Sequence, residues 1–285
     1  MGEKSFKVNF FQVDLMHNDG SFADLLTRAA NLSEDQRNAN DDIRLDNVEF
    51  DDRIRVWFGA LIKIRMTNLP EKINQISGQR DLLPISDDEG IAEMSAFLYD
   101  PQINIILIQK SQFGPSISKL SDFFAEKFLT LPMDFRVILK TDVLEKLQRM
   151  DKLYRFELKA ARLRPDLFAN SRSVSGLLNS LGNTGYAKLD IKLSADKRTG
   201  LARWLKNFAN TLATGISAEG IDRVKVGVTY RDGGGDMLDL LQCKMEEEVS
   251  LDNVPRTILF AARKEALYRI YTRTRGYLYD ICRTH

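Results

Sequence analysis

A chain of 285 residues, 44% apolar and 28% charged, can bury one large or two modest cores and has the composition of a soluble globular protein. Its 41 Lys/Arg nearly cancel its 40 Asp/Glu, yet residues 1–150 hold 18 against 24, a net of −6, while residues 151–285 hold 23 against 16, a net of +7. Two histidines (His17, His285) and two cysteines (Cys243, Cys282) exclude a disulfide framework and a Cys/His zinc knuckle, and leave any His-dependent triad or zinc site resting on His17 alone.

The longest apolar runs, such as Ile105 to Ile108, are far too short to span a bilayer. Met-Gly-Glu-Lys-Ser-Phe at the start has no signal-peptide core, and Phe6 stands where myristoylation needs Ser or Thr. A cytoplasmic protein without membrane contact is expected.

Along the chain, Lys7 to Leu15 alternates as a strand, and Ser21 can cap a helix whose Phe22, Leu25, Leu26 and Ala29 share one face. Residues 33–53 are polar and acidic, and read as an exposed excursion or mobile loop. Ile54 to Met66 reads as a half-buried strand with a bulge at Gly59. A loop rich in Asp, Gly and Pro follows Leu69-Pro70. Ile91–Tyr99 and Ile103–Gln109 then flank the turn at Asp100-Pro101-Gln102, a hairpin signature. Ser116 precedes a helix with Leu120, Phe123, Phe124 and Phe128 inward, and Leu131-Pro132 marks a domain boundary.

The second half alternates irregularly. Strands are predicted over Phe135–Leu139, Tyr154–Ala160 and Ala187–Leu193, and helices from Asp142, from Pro165 and over Ala195–Leu212. Val224–Tyr230 and Leu238–Met245 flank Asp232-Gly233-Gly234-Gly235-Asp236, and Pro255 precedes a long terminal helix. That glycine run is a tight turn rather than a phosphate loop, because a strand follows it and no Gly-Lys-Ser/Thr closes it.

Three constellations carry candidate chemistry. Arg256 to His285 hold seven Lys/Arg and two acids interleaved with tyrosines, so Lys264, Tyr268, Tyr271, Arg275 and Tyr279 fall on one helical stripe. Arginine neutralises phosphates and tyrosine stacks on bases, which marks this stripe as a nucleic-acid contact. Arg203 and Lys206, with Lys159, Arg162, Arg164, Lys197 and Arg198, could extend it. The bland alternative is a docked helix with Glu265–Arg269 as an i,i+4 pair. Finally, Glu157 and Lys159 share one strand face, as in the Glu-x-Lys half of magnesium-dependent nucleases. Asp142 and Asp151 are the nearest acids in sequence, and Gln242-Cys243-Lys244 after Asp236 or Asp239 is a second, weaker echo. Alternating charge on a wet face explains both equally simply.

Four stretches recur as a layout: FGALIKIRMTNLP, IAEMSAFLYDPQINIILIQKSQFGPS, DVLEKLQRMDKLYRFELKAAR and LDLLQCKMEEEVSLD. Together they resemble an uncharacterised family of bacterial and phage proteins. The layout is also similar to that of the DNA-binding accessory subunit of the Kiwa anti-phage system. The resemblance implies a setting of mobile elements and phage conflict, and brings no functional residue with it.

The expected fold is α+β: an acidic antiparallel-sheet domain over 1–132 with a backing helix, and a basic α+β domain over 133–285 closed by the C-terminal helix. The expected function is a non-enzymatic nucleic-acid-contacting accessory protein of phage defence, requiring no cofactor and no metal. An oligomerisation or partner-docking subunit is the alternative from another class, steered by the opposed charges. A nuclease built on Glu157 and Lys159 is the third.

Overall fold

A computed structural model describes residues 2–15, 20–40, 42–130, 133–160, 189–201, 221–254 and 258–283. The protein is α+β, and antiparallel pairing dominates its sheets. It divides into two packed units.

The first unit comprises residues 1–9, 13–133 and 246–285. Its sheet runs β14-β1-β8-β7-β4-β3-β2, with β1 Gly2–Leu15, β2 Asn38–Ala39, β3 Ile43–Asp51, β4 Val56–Arg65, β7 Ile91–Asp100, β8 Ile105–Lys110 and β14 Glu246–Val254. β4 is buried on both faces from Val56 to Ile62, where alternation predicted one wet face. The reason lies in the helices. On one face, Phe22 of α1 (Phe22–Ala30) meets Tyr99 edge-on at 4.7 Å between ring centres, and Phe124 of α2 (Ser118–Phe128) meets Phe22 at 5.4 Å. On the other, Tyr271 of α4 (Phe260–Arg283) reaches Asp100, which neighbours Tyr99 in β7 and so points the opposite way.

Gly59 sits at a register shift, as expected, but the extra residue is on β3: Asp46 faces Ala60 and Glu49 faces Phe58, while β4 keeps unbroken register with β7 from Trp57↔Tyr99 to Arg65↔Ile91. It is also a close-approach position: a Cβ there would lie 2.3 Å from Phe97 Cζ. Residues 33–53 are no mobile loop. They form a 3₁₀ turn (Glu34–Arg37), β2 and β3, with Ile43 and Leu45 buried. Arg44 pairs with Asp46 at 2.8 Å and with Glu34, so two of the acids in this stretch are neutralised in place. Beyond β4, the loop carries a two-stranded hairpin of β5 (Lys72–Ile73) and β6 (Arg80–Asp81).

The second unit comprises residues 10–12 and 134–245. β10 (Lys152–Ala160) and β12 (Ile221–Thr229) are central in a four-stranded antiparallel sheet ordered β11-β10-β12-β13, with β11 Leu189–Ser194 and β13 Gly235–Asp239 at the edges. Phe156, Leu158, Val224, Val226, Val228 and Leu238 form its buried face. β9 (Met133–Val137) and α3 (Thr141–Gln148) precede β10, and α3 buries Val143 and Leu147. Asp232 to Gly235 turn the β12–β13 hairpin, as the glycines predict. Residues 195–201 form a turn where a helix was expected, with Gly200 at φ +72° donating to the Asp196 carbonyl. The rest of that predicted helix, and the one from Pro165, lie outside the described residues.

The C-terminal helix packs on β7, β8 and β14 of the first unit rather than closing the second half. Ala266, Leu267, Ile270, Tyr271, Thr274 and Leu278 make its buried stripe. The charge asymmetry survives this regrouping. Residues 246–285 carry seven Lys/Arg against six Asp/Glu, because β14 brings Glu246, Glu247 and Glu248 with it. The second unit keeps 20 Lys/Arg against 13 Asp/Glu, a net of +7, and the first holds 21 against 27, a net of −6.

Candidate nucleic-acid interface

The predicted stripe on α4 does not assemble as one solvent surface. Tyr271 is 2% exposed, and its hydroxyl donates to Asp100 Oδ2 at 2.6 Å. Burial, with the Asp100 charge beside it, raises its pKa. Lys264 Nζ lies 2.7 Å from Glu49 Oε1 and 4.6 Å from the Phe58 ring centre, so its charge is met within the unit. Tyr268 is exposed. Arg275 stacks between Tyr271 and Tyr279 at 5.7 and 5.1 Å, and hydrogen bonding to Tyr279 raises its pKa. Arg269 is held by Glu265, as the i,i+4 spacing predicts, and Arg273 by Glu247. A helix facing an acidic edge strand has most of its cations matched. Arg203, Lys206, His17 and His285 lie outside the described residues.

β10 presents a different picture. Arg155, Glu157 and Lys159 do project from one face, as alternation predicts. Glu157 is buried, and its Oε1 accepts from Arg155 Nε at 2.7 Å, with Lys192 and Lys225 opposite it on the two flanking strands. A magnesium site needs further carboxylates there, and the register supplies three cations. Among the described residues no group of three His, Cys, Asp or Glu side chains could hold a metal. Asp236 is taken by the Tyr230 hydroxyl at 2.9 Å and by Lys146 at 3.1 Å, and both bonds lower its pKa. Asp239 lies 3.4 Å from Lys225.

What the register does assemble is a cationic face. Lys159 stands directly opposite Arg223 of β12 and Asp190 of β11. Asp190 is 3.8 Å from Lys192, and Arg155 and Lys225 have Glu157 and Asp239. Among the described residues, Lys159 and Arg223 have no ion-pair partner, and both are exposed. Strands in a sheet lie about 4.8 Å apart, so the two like charges stand side by side, and Asp190, which flanks Lys159 on its other side, is shared with Lys192. Sequence reasoning found Lys159 but missed Arg223, which falls just before the predicted start of its strand and meets Lys159 only through long-range pairing.

No described helix is long and apolar enough to cross a membrane. A search of curated proteins finds no match to the chain. A model of a family of unknown function, DUF6731, matches residues 1–277, so the long strands, the hairpin of β7 and β8 and all but the last turns of the C-terminal helix fall within the match, and the chain belongs to that family.

Proposed function

We propose that this protein is a non-enzymatic nucleic-acid-contacting accessory protein, and that the exposed face of β11-β10-β12-β13 makes the contact. The observation that carries this reading is the Lys159–Arg223 pair on a unit of net charge +7. Two adjacent cations on a flat face neutralise neighbouring phosphates, and backbone contacts of this kind supply non-specific affinity. The similarity of layout to the DNA-binding accessory subunit of the Kiwa system supports a setting in phage defence.

Retardation of duplex and single-stranded DNA and RNA by the full chain across a salt series is the test. Binding should be strongest at low salt. Lys159→Ala with Arg223→Ala should weaken it and reduce the slope of log affinity against log salt by about two, roughly one per lost phosphate contact. Lys264→Ala with Arg275→Ala should leave binding nearly unchanged, because both cations are already engaged within the first unit. Absence of binding at low salt would refute the proposal. Loss of binding through the α4 pair alone would move the contact to that helix.

A further inference from the structure

The solvent-facing side of the second unit's sheet carries an aromatic ring as well as charges. β10 holds an extra residue where Leu153 faces Val228 and Arg155 faces Gly227, and that residue is Tyr154. A bulge re-aims the side chain it adds. Val226 and Val228 are fully buried, so Gly227 between them opens onto the opposite face, the one that bears Arg155 and Lys159. The Tyr154 ring lies there: a Cβ on Gly227 would meet its Cζ at 2.7 Å and its Cε2 at 2.9 Å. The missing side chain is what lets the ring rest against the sheet.

The backbone on either side of the ring is pinned. The Tyr154 carbonyl accepts from the Ala195 amide at 2.8 Å, and the Leu153 carbonyl from the Leu201 amide at 2.6 Å. The turn so attached brings Lys197, whose Nζ lies 5.1 Å from the ring centre. Tyr154 is half-buried and Lys197 exposed. Among the described residues, Lys197 has no carboxylate within ion-pair distance and the Tyr154 hydroxyl has no hydrogen-bond partner. From Arg155 to Lys159, which stands beside Arg223, is a further four residues of strand, about 13 Å. The row between is neutral, since Glu157 is taken by Arg155 and Lys225 by Asp239.

Phosphates alone would use the cations of this face and leave the ring idle. A duplex keeps its bases stacked on one another, whereas a single strand presents their faces, and a base stacked on an aromatic side chain adds affinity that does not depend on charge. We infer that this face takes a single-stranded nucleic acid, with one base stacked on Tyr154, a phosphate of the same nucleotide on Lys197, and phosphates further along the strand on Lys159 and Arg223. On the sheet-face reading, on which this assignment rests, the form of the nucleic acid is open; Tyr154 is the side chain that selects it.

Fluorescence anisotropy at low salt tests it, with the full chain and four labelled probes. These are oligo(dT) and oligo(rU) of about 12 nucleotides, a strand of the same length and charge with abasic sugars, and a duplex. The strands with bases should bind about tenfold more tightly than the abasic strand, and more tightly than the duplex; the tighter of the two identifies DNA or RNA. Tyr154→Leu keeps an apolar side chain without a π face. It should lower oligo(dT) affinity about tenfold and leave the slope of log affinity against log salt unchanged, whereas Lys159→Ala with Arg223→Ala reduces that slope. Tyr154→Phe should bind like the parent protein, because stacking needs no hydroxyl. The abasic comparison uses the parent protein and decides the matter even where Tyr154→Leu fails to fold. Equal affinity for oligo(dT) and the abasic strand, a duplex bound as tightly as either single strand, or a folded Tyr154→Leu that binds oligo(dT) like the parent overturns the inference and leaves the sheet face as a backbone contact. No binding of any probe refutes both readings.

Discussion

The hydroxyl of Tyr271 donates to the carboxylate of Asp100 at 2.6 Å, and both residues are almost fully buried. Asp100 also accepts from the Gln102 amide at 2.8 Å, which anchors the turn between β7 and β8. One buried carboxylate thus joins the C-terminal helix to the tip of the central hairpin.

Tyr271→Phe removes one of those two donors and leaves the rest of the packing in place. A hydrogen bond to a charged group contributes about 1.5–3 kcal/mol, and a buried carboxylate cannot recover it from water. Urea denaturation should show a loss in that range. A loss below about 0.5 kcal/mol would mean that the carboxylate is rehydrated in the variant.

Stability should fall at alkaline pH, and Tyr230 identifies part of the fall. Burial, then its hydrogen bond to the Asp236 carboxylate, pushes its pKa from 10.0 up to about 12. The folded state therefore holds a proton that the unfolded chain releases near pH 10. Its contribution is complete below that pH and is lost as pH rises from 10 towards about 12. Tyr230→Phe should flatten the decline in thermal midpoint across that window, measured against the parent protein.

Gly59→Ala should be disproportionately damaging for the addition of one methyl group. The new Cβ would meet Phe97 Cζ at 2.3 Å and Cε1 at 2.6 Å, in the middle of a strand buried on both faces. Overpacking of this kind costs about 1–3 kcal/mol. Phe97→Leu in the same chain should recover part of the loss, and a chemical denaturation cycle of the four proteins measures the coupling. Additive effects would mean that the ring is not the obstacle.

Local pattern made much of this fold legible. Ser21 caps α1 as expected, with its hydroxyl accepting from the Asp24 amide and the Asp24 carboxylate accepting in return. The hairpins around Asp100 and Gly233 follow from their turn residues. Pairing at a distance was not legible. Residues 43–51 look like an acidic loop until β4 lies beside them and Arg44 is seen to hold Asp46 and Glu34. The α4 stripe failed for the same reason. Helical periodicity groups Lys264, Tyr271 and Arg275, but Glu49 and Asp100, which engage the first two, come from strands about 170 to 215 residues away. Glu157 and Lys159 were placed on the correct face, yet only the register reveals that their neighbours are mostly cations.

The pairing of β1 with β14, from Phe6↔Val249 to Asn9↔Glu246, has a consequence for synthesis on the ribosome. The first strand to emerge meets its outer neighbour only after about 240 further residues have been made, at a rate of roughly 5–20 residues per second. Until then β1 has an open edge, and the face of β7 and β8 that α4 will cover is bare. A nascent chain halted anywhere in the second unit would present both at once, a sticky intermediate that a chaperone must shield.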